Sequence, residues 1–253
     1  MKAKLLISIF LLSLLIPVGC QKAEAVESFP EDSKLVCLFF DDGYVNQYEV
    51  VLPILLKQDY KASFGVITGY IGTGHDVWEY MDEDELKVLA ECGMDIACHT
   101  RTHPNLTENM TDERLREEIV YSKEYLENMG FEVNTMIYPY FKWDDRVIES
   151  VKKAGYSCAR AGWSKERAYD LRTANPKARY HVNAWQMTDQ TMEEFKTITD
   201  YAGNHSVVSL VYHFILDEGP EKTSTTVADF ETQMSYLKEA GFTVVLLPDL
   251  FAQ

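Results

Sequence analysis

The sequence predicts an α/β fold, a distorted barrel of about seven parallel strands with helices packed on its outside. Between residues 34 and 253, short apolar segments of strand length alternate with segments of helical periodicity. No internal sequence repeat accompanies this alternation, and parallel strands joined by helices are the arrangement that it favours. At a length of 253 residues, closing the sheet into a barrel is the economical solution.

The first half of the domain is predicted to run strand, helix, strand, helix, strand. These elements are Lys34–Phe40, Tyr44–Gln58, Ala62–Thr68, Asp82–Cys92 and Met94–His99. The first is a short apolar run bounded by turn residues, which favours a buried strand. The second carries its apolar residues at the spacing of one helical face. The fourth begins at Asp82 with Glu85 three residues later, the pattern of a capping box.

The second half continues the alternation after one interruption. The predicted helices are Thr111–Met129, Asp144–Lys153, Thr191–Tyr201 and Val227–Ala240. The predicted strands are Thr135–Tyr138, Tyr156–Ala161, Tyr180–Met187, Ser206–Phe214 and Phe242–Leu247. Gly130 and Gly155 end two of the helices. The polar, locally basic segment Gly162–Arg179 interrupts the alternation and is predicted to be a long loop, either functional or simply solvated.

The N-terminus has the features of an export leader. Two lysines precede an apolar run from Leu5 to Val18 that is shorter than a membrane span requires. Pro17-Val18-Gly19-Cys20 resembles a bacterial lipobox. We therefore expect residues 1–20 to be a signal peptide of lipoprotein type and the protein to be exported and anchored through Cys20, in the periplasm or at the cell surface, with secretion as the alternative. Residues 21–33 are a polar linker.

The composition is that of an acidic globular protein, with a formal net charge of -16 and 46% hydrophobic residues. An excess of carboxylates repels phosphate backbones, so nucleic acid is excluded as a partner, and contact with a membrane is expected only through the lipid anchor. Besides Cys20, the chain contains Cys37, Cys92, Cys98 and Cys158. Their spacing matches no zinc knuckle, and buried thiols are the favoured interpretation.

Two carboxylates and two histidines provide metal-ligating groups at the ends of predicted strands. Asp41 and Asp42 follow the first strand, and His99 and His103 begin where the third strand ends. Because the C-terminal ends of such strands lie at one mouth of a barrel, we expect these side chains to converge. Two imidazoles and one carboxylate make a three-ligand site that suits Zn²⁺ or another divalent ion. Considered separately, the aspartate pair followed by a glycine is typical of a turn, and two histidines four residues apart are typical of structural histidines.

Four short motifs resemble those of the polysaccharide deacetylases, the carbohydrate esterases with a NodB homology domain. They are Phe39-Phe40-Asp41-Asp42-Gly43, His99-Thr100-Arg101-Thr102-His103, Tyr138-Pro139-Tyr140 and Leu210-Val211-Tyr212-His213. They occur in the family's order, and each falls at the C-terminal end of a predicted strand. The Tyr-Pro-Tyr form is similar to the poly-N-acetylglucosamine deacetylase branch. The resemblance implies a NodB-like barrel and a deacetylase-like catalytic domain over residues 34–253.

The resemblance also implies a role for each matching residue. The metal ligands would be Asp42, His99 and His103. The ion would be Zn²⁺, with Co²⁺ or Ni²⁺ as alternatives. Asp41 would be the general base and His213 the general acid, since an imidazole can protonate a departing amine near neutral pH. Tyr140 would help to line an oxyanion hole through its backbone N–H.

Two family residues have no direct counterpart. The third motif usually includes an arginine that contacts the base, and its position aligns near Ile137 here. Arg160, at the end of the predicted strand Tyr156–Ala161, is the nearby candidate to replace it. The fourth motif's aspartate, which orients the acid histidine, has no clear match between residues 161 and 164, where Trp163 keeps an aromatic side chain.

The activity that the resemblance implies is metal-dependent removal of acetyl groups, first of all N-acetyl, from a polysaccharide or oligosaccharide outside the cytoplasm. An acetylated glycan is thus the expected partner, and Trp143 and Trp163 are candidates to stack on sugars, with core packing as the alternative. Two other functions stay open. One is a surface glycan-binding protein with weak or lost activity, suggested by the two missing residues. The other is a hydrolase of small cyclic amides with the same barrel.

Overall fold

A computed structural model describes residues 29–30, 32–75, 78–162, 168–170, 177–203, 206–217 and 224–251. The predicted signal peptide and Cys20 lie outside the described residues, as do most of the predicted linker and Trp163. None of the helices in the described ranges is long and apolar enough to cross a bilayer.

Thirteen short strands are present in the described ranges. The first seven are β1 (Lys34–Phe40), β2 (Ser63–Val66), β3 (Gly74–His75), β4 (Trp78–Glu79), β5 (Asp95–Cys98), β6 (Thr135–Ile137) and β7 (Cys158–Arg160). The remaining six are β8 (Tyr169–Asp170), β9 (Trp185–Gln186), β10 (Ser206–Tyr212), β11 (Phe214–Ile215), β12 (Ser224–Thr225) and β13 (Phe242–Val244).

The α-helices are α1 (Leu52–Gln58), α2 (Glu83–Glu91), α3 (Asp112–Arg116), α4 (Ser122–Asn128), α5 (Asp145–Lys153), α6 (Met192–Thr199) and α7 (Val227–Glu239). A π-helical turn, Gln47–Val51, runs directly into α1, and a second, Glu117–Tyr121, joins α3 to α4. The predicted capping box at Asp82 and Glu85 is confirmed, since each residue's side chain accepts the other's backbone N–H. The predicted helix boundaries are otherwise confirmed to within a few residues.

The main sheet has the strand order β7-β6-β5-β2-β1-β10-β8. From β7 to β10 neighbouring strands run parallel, and β8 adds an antiparallel strand at the edge. β1 pairs with β10 along one edge. Along its other edge it pairs with two strands, with β13 at Lys34–Val36 and with β2 at Phe39 and Phe40. The predicted distorted barrel of parallel strands is therefore confirmed.

Two sequence predictions about strands were wrong in detail. The predicted strand Tyr180–Met187 is only β9, because Ala178–Tyr180 forms a 3₁₀ turn instead. The predicted loop Gly162–Arg179 contains the edge strand β8. Segments this short bury too few side chains to show a period of two in the sequence, so only their pairing with β10 defines them as strands.

The sheet is buried on both faces, as parallel sheets covered by helices usually are. Along β1, Val36 and Leu38 pack with the helices outside, whereas Leu35 and Phe39 belong to the cluster inside the barrel. This two-sided burial explains why the strand appears in the sequence as an unbroken apolar run. Of the described cysteines, the three in strands, at positions 37, 98 and 158, are buried free thiols as expected, and Cys92 is half-buried.

A polar layer crosses the barrel interior near the N-terminal ends of the strands. Asp95 Oδ2 accepts hydrogen bonds from Ser63 Oγ at 2.7 Å and Thr135 Oγ1 at 2.8 Å. Thr135 Oγ1 lies 3.7 Å from the sulfur of Cys158. We call these four residues the floor of the barrel, and the opposite end, where the strands reach their C-termini, the mouth.

Candidate active site

The predicted site residues all lie at the mouth. Asp41 and Asp42 follow β1, His99 follows β5, and His213 follows β10. Arg160 is the last residue of β7. Because β1, β5, β7 and β10 belong to one sheet, whose neighbouring strands from β7 to β10 run parallel, residues far apart in sequence come together at one edge of the sheet.

Asp42, His99 and His103 form a cluster in which one ligand atom from each residue lies within 4.8 Å of the others. Asp42 Oδ1 is 3.4 Å from His99 Nε2 and 3.5 Å from His103 Nε2. The two imidazole rings meet edge to face with centroids 4.7 Å apart. The structure thus brings together the three residues that the sequence predicted as metal ligands.

The hydrogen bonds around this cluster suit a divalent cation. His99 Nδ1 lies 2.8 Å from the carbonyl oxygen of Ile137, which can only accept, so Nδ1 carries the proton and Nε2 presents a lone pair to the cluster. Asp42 Oδ1 is buried and has no hydrogen-bond partner among the described residues. A buried carboxylate oxygen facing two imidazole nitrogens is the donor set of a three-ligand zinc site, so these residues fit a bound ion.

The charge states favour metal binding as well. Burial alone would raise the pKa of Asp42, but the nearby imidazoles, that of His99 first, hold that pKa well below the usual value. Burial, reinforced by His99 and His213, lowers the pKa of His103 to about 4, against the opposing effect of Asp42 and Asp41. At neutral pH the site therefore offers a carboxylate and a neutral imidazole, the forms that bind metals.

Asp41 is held by Arg160 from inside the barrel. Arg160 Nη2 donates to Asp41 Oδ2 at 2.5 Å, and both side chains are almost completely buried. The guanidinium lies between the rings of Phe39 and Phe141, with distances of 5.6 and 5.1 Å to the ring centroids. Asp41 Oδ1 has no hydrogen-bond partner among the described residues. Oδ2 of the Asp41 carboxylate is thus held by the arginine, while Oδ1 has no such partner.

His213 follows β10 and lies near the Asp41 carboxylate oxygen that Arg160 holds. Its Nε2 is 4.0 Å from Asp41 Oδ2, and 18% of its side chain is exposed. In the described part of the chain, its Nδ1 has no hydrogen-bond partner. The structure therefore brings His213 next to Asp41, but the described residues supply no hydrogen bond to its Nδ1 that would orient the ring.

The loop His99–His103 has an unusual backbone that a buried glutamate stabilises. Thr100 and His103 have left-handed φ values of 67° and 56°. The Glu118 carboxylate accepts hydrogen bonds from the backbone N–H of Arg101 at 2.9 Å, and from the N–H and hydroxyl of Thr102 at 2.8 and 2.6 Å. These hydrogen bonds fix the loop between the two predicted histidine ligands and offset the strain of its left-handed backbone.

Tyr140 and Phe141 form one wall of the site and both have left-handed backbones, with φ of 53° and 60°. The Tyr140 ring lies against His103 at a centroid distance of 4.6 Å and is 58% exposed. Phe141 packs so closely on Gly162 that a Cβ at that position would lie 2.1 Å from the Phe141 ring. Glycine is thus required at position 162 for Phe141 to reach the site.

A cavity of about 320 Å³ opens over these groups. Its lining residues are Asp41, Asp42, Tyr44, His99, His103, Tyr140, Phe141, Gln186, His213 and Phe214. Tyr44 stacks on Phe214 with centroids 4.1 Å apart, and Trp78 lies 4.2 Å from Phe214. Trp143, 38% exposed, stacks on His181 at 4.6 Å with only 11° between the ring planes. The cavity therefore has aromatic walls and a polar base.

Residues 29–159, just over half of the chain, match the family described as polysaccharide deacetylase. The chain belongs to this family. YxkH of Bacillus subtilis, provisionally named a polysaccharide deacetylase, is 32% identical over 124 residues, which cover 49% of this chain and 43% of YxkH. The poly-β-1,6-N-acetyl-D-glucosamine N-deacetylase of Staphylococcus aureus is 30% identical over 138 residues, 50% of this chain and 47% of that protein. The chain thus spans about half the length of the curated relatives that it matches.

Among solved structures, a chain described as T48 deacetylase with substrate aligns with a TM-score of 0.58 and 21% identity, covering 87% of this deacetylase-family chain and 92% of that one. At this identity the likeness shows the shared fold. It supports the same barrel architecture that the strand order of this family member displays.

The sequence analysis missed two polar residues that brace the site, Gln47 and Glu118. Both are fully buried on otherwise apolar helical faces: Gln47 lies one turn before Val51, and Glu118 lies between Leu115 and Ile119. A polar side chain on a buried helical face was the available signal, since burying such a group without a partner is costly. The identity of the partners required the tertiary structure.

Proposed function

We propose that the protein is a metal-dependent hydrolase that removes acetyl groups, in particular N-acetyl groups, from a polysaccharide or oligosaccharide outside the cytoplasm. The observation that carries the proposal is the convergence of Asp42, His99 and His103 on one point beside the Asp41–Arg160 pair. A three-ligand cluster next to a separately held carboxylate supports a hydrolytic centre better than a purely structural ion site, which normally has four protein ligands.

The side chains of the site divide the reaction between them. The ion bound by Asp42, His99 and His103 would supply an electrophile for the acetyl carbonyl and lower the pKa of the attacking water. Asp41, oriented by Arg160, takes the proton from that water through its free Oδ1. The backbone N–H of Tyr140 donates to the developing oxyanion. His213, whose Nε2 lies 4.0 Å from Asp41 Oδ2, protonates the departing nitrogen.

The N-acetyl preference is supported by the presence of an acid residue and by the named relative. An amine leaves poorly unless it is protonated, so a histidine facing the base serves amide hydrolysis more than ester hydrolysis. The Staphylococcus aureus relative is a poly-β-1,6-N-acetyl-D-glucosamine N-deacetylase. Aromatic side chains such as Trp143 and Tyr140 at the mouth provide faces for sugar rings.

We also propose that the ion is Zn²⁺, with Co²⁺ or Ni²⁺ as alternatives, because a carboxylate and two imidazoles suit all three. The export leader at residues 1–20 supports action outside the cytoplasm, with anchoring through Cys20. An exported enzyme meets glycans rather than cytoplasmic cyclic amides, which favours the first function over the amide hydrolase.

One observation favours the glycan-binding alternative. The His213 Nδ1 has no partner among the described residues, and an acid that is poorly oriented would turn over slowly. The missing motif arginine, by contrast, no longer supports that alternative, because Arg160 contacts the base from β7.

Metal content and acetate release test the proposal together. The purified protein is loaded with Zn²⁺, Co²⁺ or Ni²⁺ and incubated with acetylated chitooligosaccharide, poly-N-acetylglucosamine, peptidoglycan fragments and acetylxylan. We expect release of acetate that stops with a chelator, and His103→Ala should lose both metal and activity. His181→Ala removes a histidine outside the cluster and should keep its metal, so it is the matched control for metal content. Metal-loaded protein that releases no acetate from any of these substrates would overturn the proposal.

A further inference from the structure

We propose that Gln47 is a positioning residue that holds the strand ends bearing the base and the acid at a fixed separation, with Asn46 supporting it. The proposal concerns how Asp41 and His213 are placed relative to each other, and it rests on the proposed function only in assigning those two residues their roles. Neither motif resemblance nor helical periodicity indicates a role for Gln47.

The Gln47 side chain bridges two backbone carbonyls. Its Nε2 donates to Asp41 O at 2.5 Å and to His213 O at 2.9 Å, and the residue is fully buried. Because both partners are carbonyl oxygens, only the NH₂ end of the amide can face them, and its two protons are both used. The amide's rigid geometry therefore sets the distance between the main chains of the base and the acid.

Asn46 binds the same segment two residues further along, at Ile215. Its Nδ2 donates to Ile215 O at 3.1 Å, and its Oδ1 accepts from Ile215 N at 3.0 Å. This two-bond pairing imitates the contact of a neighbouring strand. Together, Asn46 and Gln47 make three hydrogen bonds to the backbone between residues 213 and 215.

The main sheet ends before this segment, and Phe214 and Ile215 pair instead with the short strand β12. The parallel ladder between β1 and β10 reaches Asp41, whose N–H donates to Tyr212 O at 2.9 Å. Beyond that bond, the Gln47 amide joins the carbonyls of Asp41 and His213. Since His213 Nδ1 has no partner among the described residues, the position of its ring depends on its backbone. Asp41 differs, because Arg160 holds its carboxylate directly.

The π-helical turn explains how a glutamine reaches this place. In Gln47–Val51 both end residues are buried, so Gln47 points into the fold beneath the site while Val51 packs in the core. Single π-helical turns within α-helices occur often at functional sites, because the extra residue redirects one side chain. A buried amide would be costly here without its two acceptors.

The test compares Gln47→Met with Gln233→Met. Each variant replaces a buried glutamine with methionine, which has a similar size. Gln233 differs from Gln47 because it accepts a hydrogen bond from the Tyr212 hydroxyl and does not contact the backbone of the base or acid. Both variants are assayed on acetylated chitopentaose, an amide whose leaving group needs protonation, and on nitrophenyl acetate, an ester whose leaving group does not.

For Gln47→Met we expect kcat on the chitopentaose to fall about 10- to 100-fold with KM nearly unchanged, because the acid is misplaced after substrate binds. Turnover of nitrophenyl acetate should fall less than about threefold, and Gln233→Met should keep both activities. Asn46→Ala, which removes both hydrogen bonds to Ile215 and leaves Gln47 in place, should show the same selective loss at a smaller size. Equal losses on both substrates, or no loss, would overturn the proposal.

A measurement without turnover separates this proposal from the proposed function. In protein containing isotope-labelled histidine, the His213 ring resonance, assigned with His213→Gln, should be single in the parent and in Gln233→Met, and broadened or shifted in Gln47→Met. If the parent releases no acetate but the resonance changes as expected, the proposed function fails and the positioning role stands. An unchanged His213 resonance in folded Gln47→Met would overturn the positioning role.

Discussion

Two buried aspartates at opposite ends of the barrel show how partners decide the state of a carboxyl group. At the mouth, Asp42 faces two histidines, and its pKa is held well below the usual value even though burial alone would raise it. At the floor, Asp95 faces two neutral hydroxyls, and burial, strengthened by Asp249 and Glu132, raises its pKa from 3.8 to about 6.

The difference shows that burial by itself does not make a carboxyl group functional. Neutral hydroxyls satisfy hydrogen bonds at the floor without balancing a charge, so Asp95 serves the packing of the strands. Imidazole nitrogens and a guanidinium at the mouth stabilise charge, and they leave carboxylate oxygens unpaired. Chemistry is therefore expected at the mouth, and the floor is expected to respond to pH only through stability.

Asp41→Asn should show the largest effect and tests the mouth directly. Replacing the proposed base with a neutral isostere should lower acetate release by about a thousandfold, within the range known for general bases, while metal binding is retained. Acetate assays and metal analysis of the same sample check this. Asp95→Asn at the floor is the matched change and should leave kcat unchanged. Loss of activity in both variants would contradict the distinction between the two ends.

Arg160→Met should produce the next largest effect, on stability. The change leaves Asp41 buried without its counter-charge, which should lower the free energy of unfolding by about 3 to 5 kcal/mol. Denaturant unfolding measures the loss. The double variant with Asp41→Asn should be more stable than Arg160→Met alone, because no unpaired charge then remains. A double variant that is even less stable would show that Arg160 acts through packing on Phe39 and Phe141 instead.

Asp95→Asn should change how stability depends on pH. Because the folded pKa of about 6 exceeds the usual 3.8, the native protein binds a proton first as the pH falls, so the parent gains stability between pH 6 and 4. The variant should lack up to about 3 kcal/mol of that gain. Unfolding of both proteins at several pH values tests this, with exposed Asp59→Asn as the control. Identical pH profiles of parent and Asp95→Asn would refute it.

Glu118→Ala should give the smallest of these effects, on metal affinity. This third buried carboxylate accepts hydrogen bonds from two main-chain N–H groups and the Thr102 hydroxyl of the His99–His103 loop, and Arg114 Nη2 lies 3.7 Å from its Oε1. Removing it should weaken metal binding about tenfold, as changes beside metal ligands typically do. Titration with Zn²⁺ measures the change, and exposed Glu124→Ala is the control. Unchanged affinity would show that the loop holds its shape without Glu118.

Much of the candidate site could be predicted because its chemistry is local in sequence. Adjacent aspartates after an apolar run, and two histidines four residues apart, place reactive groups at strand ends. Arg160 could be named because few arginines lie near the end of a predicted strand, but its contact with Asp41 spans 119 residues and needed the fold. The structure brings together all seven predicted site residues, and their chemical roles stay predictions.

Other features left no usable pattern in the sequence. Both π-helical turns preserve the apolar face that periodicity detects, so Gln47 and Glu118 stand out as polar residues on that face, but nothing in the helical pattern identifies their partners. The edge strand β8 and the short β9 are defined by hydrogen bonds to β10, and two residues cannot show a strand period. The close approach of Phe141 to Gly162 likewise depends on where two loops meet.

The sequence by itself determined the alternation of strands and helices, the ends of the strands and the residue types available for chemistry there. These properties follow from hydrophobic periodicity and turn residues, which act over a few positions. Only the tertiary structure decided which of those groups share a point in space, which charges balance one another and which amides hold the backbone. Those outcomes depend on contacts between residues far apart in the sequence, 166 positions for Gln47 and His213, and no local pattern encodes such contacts.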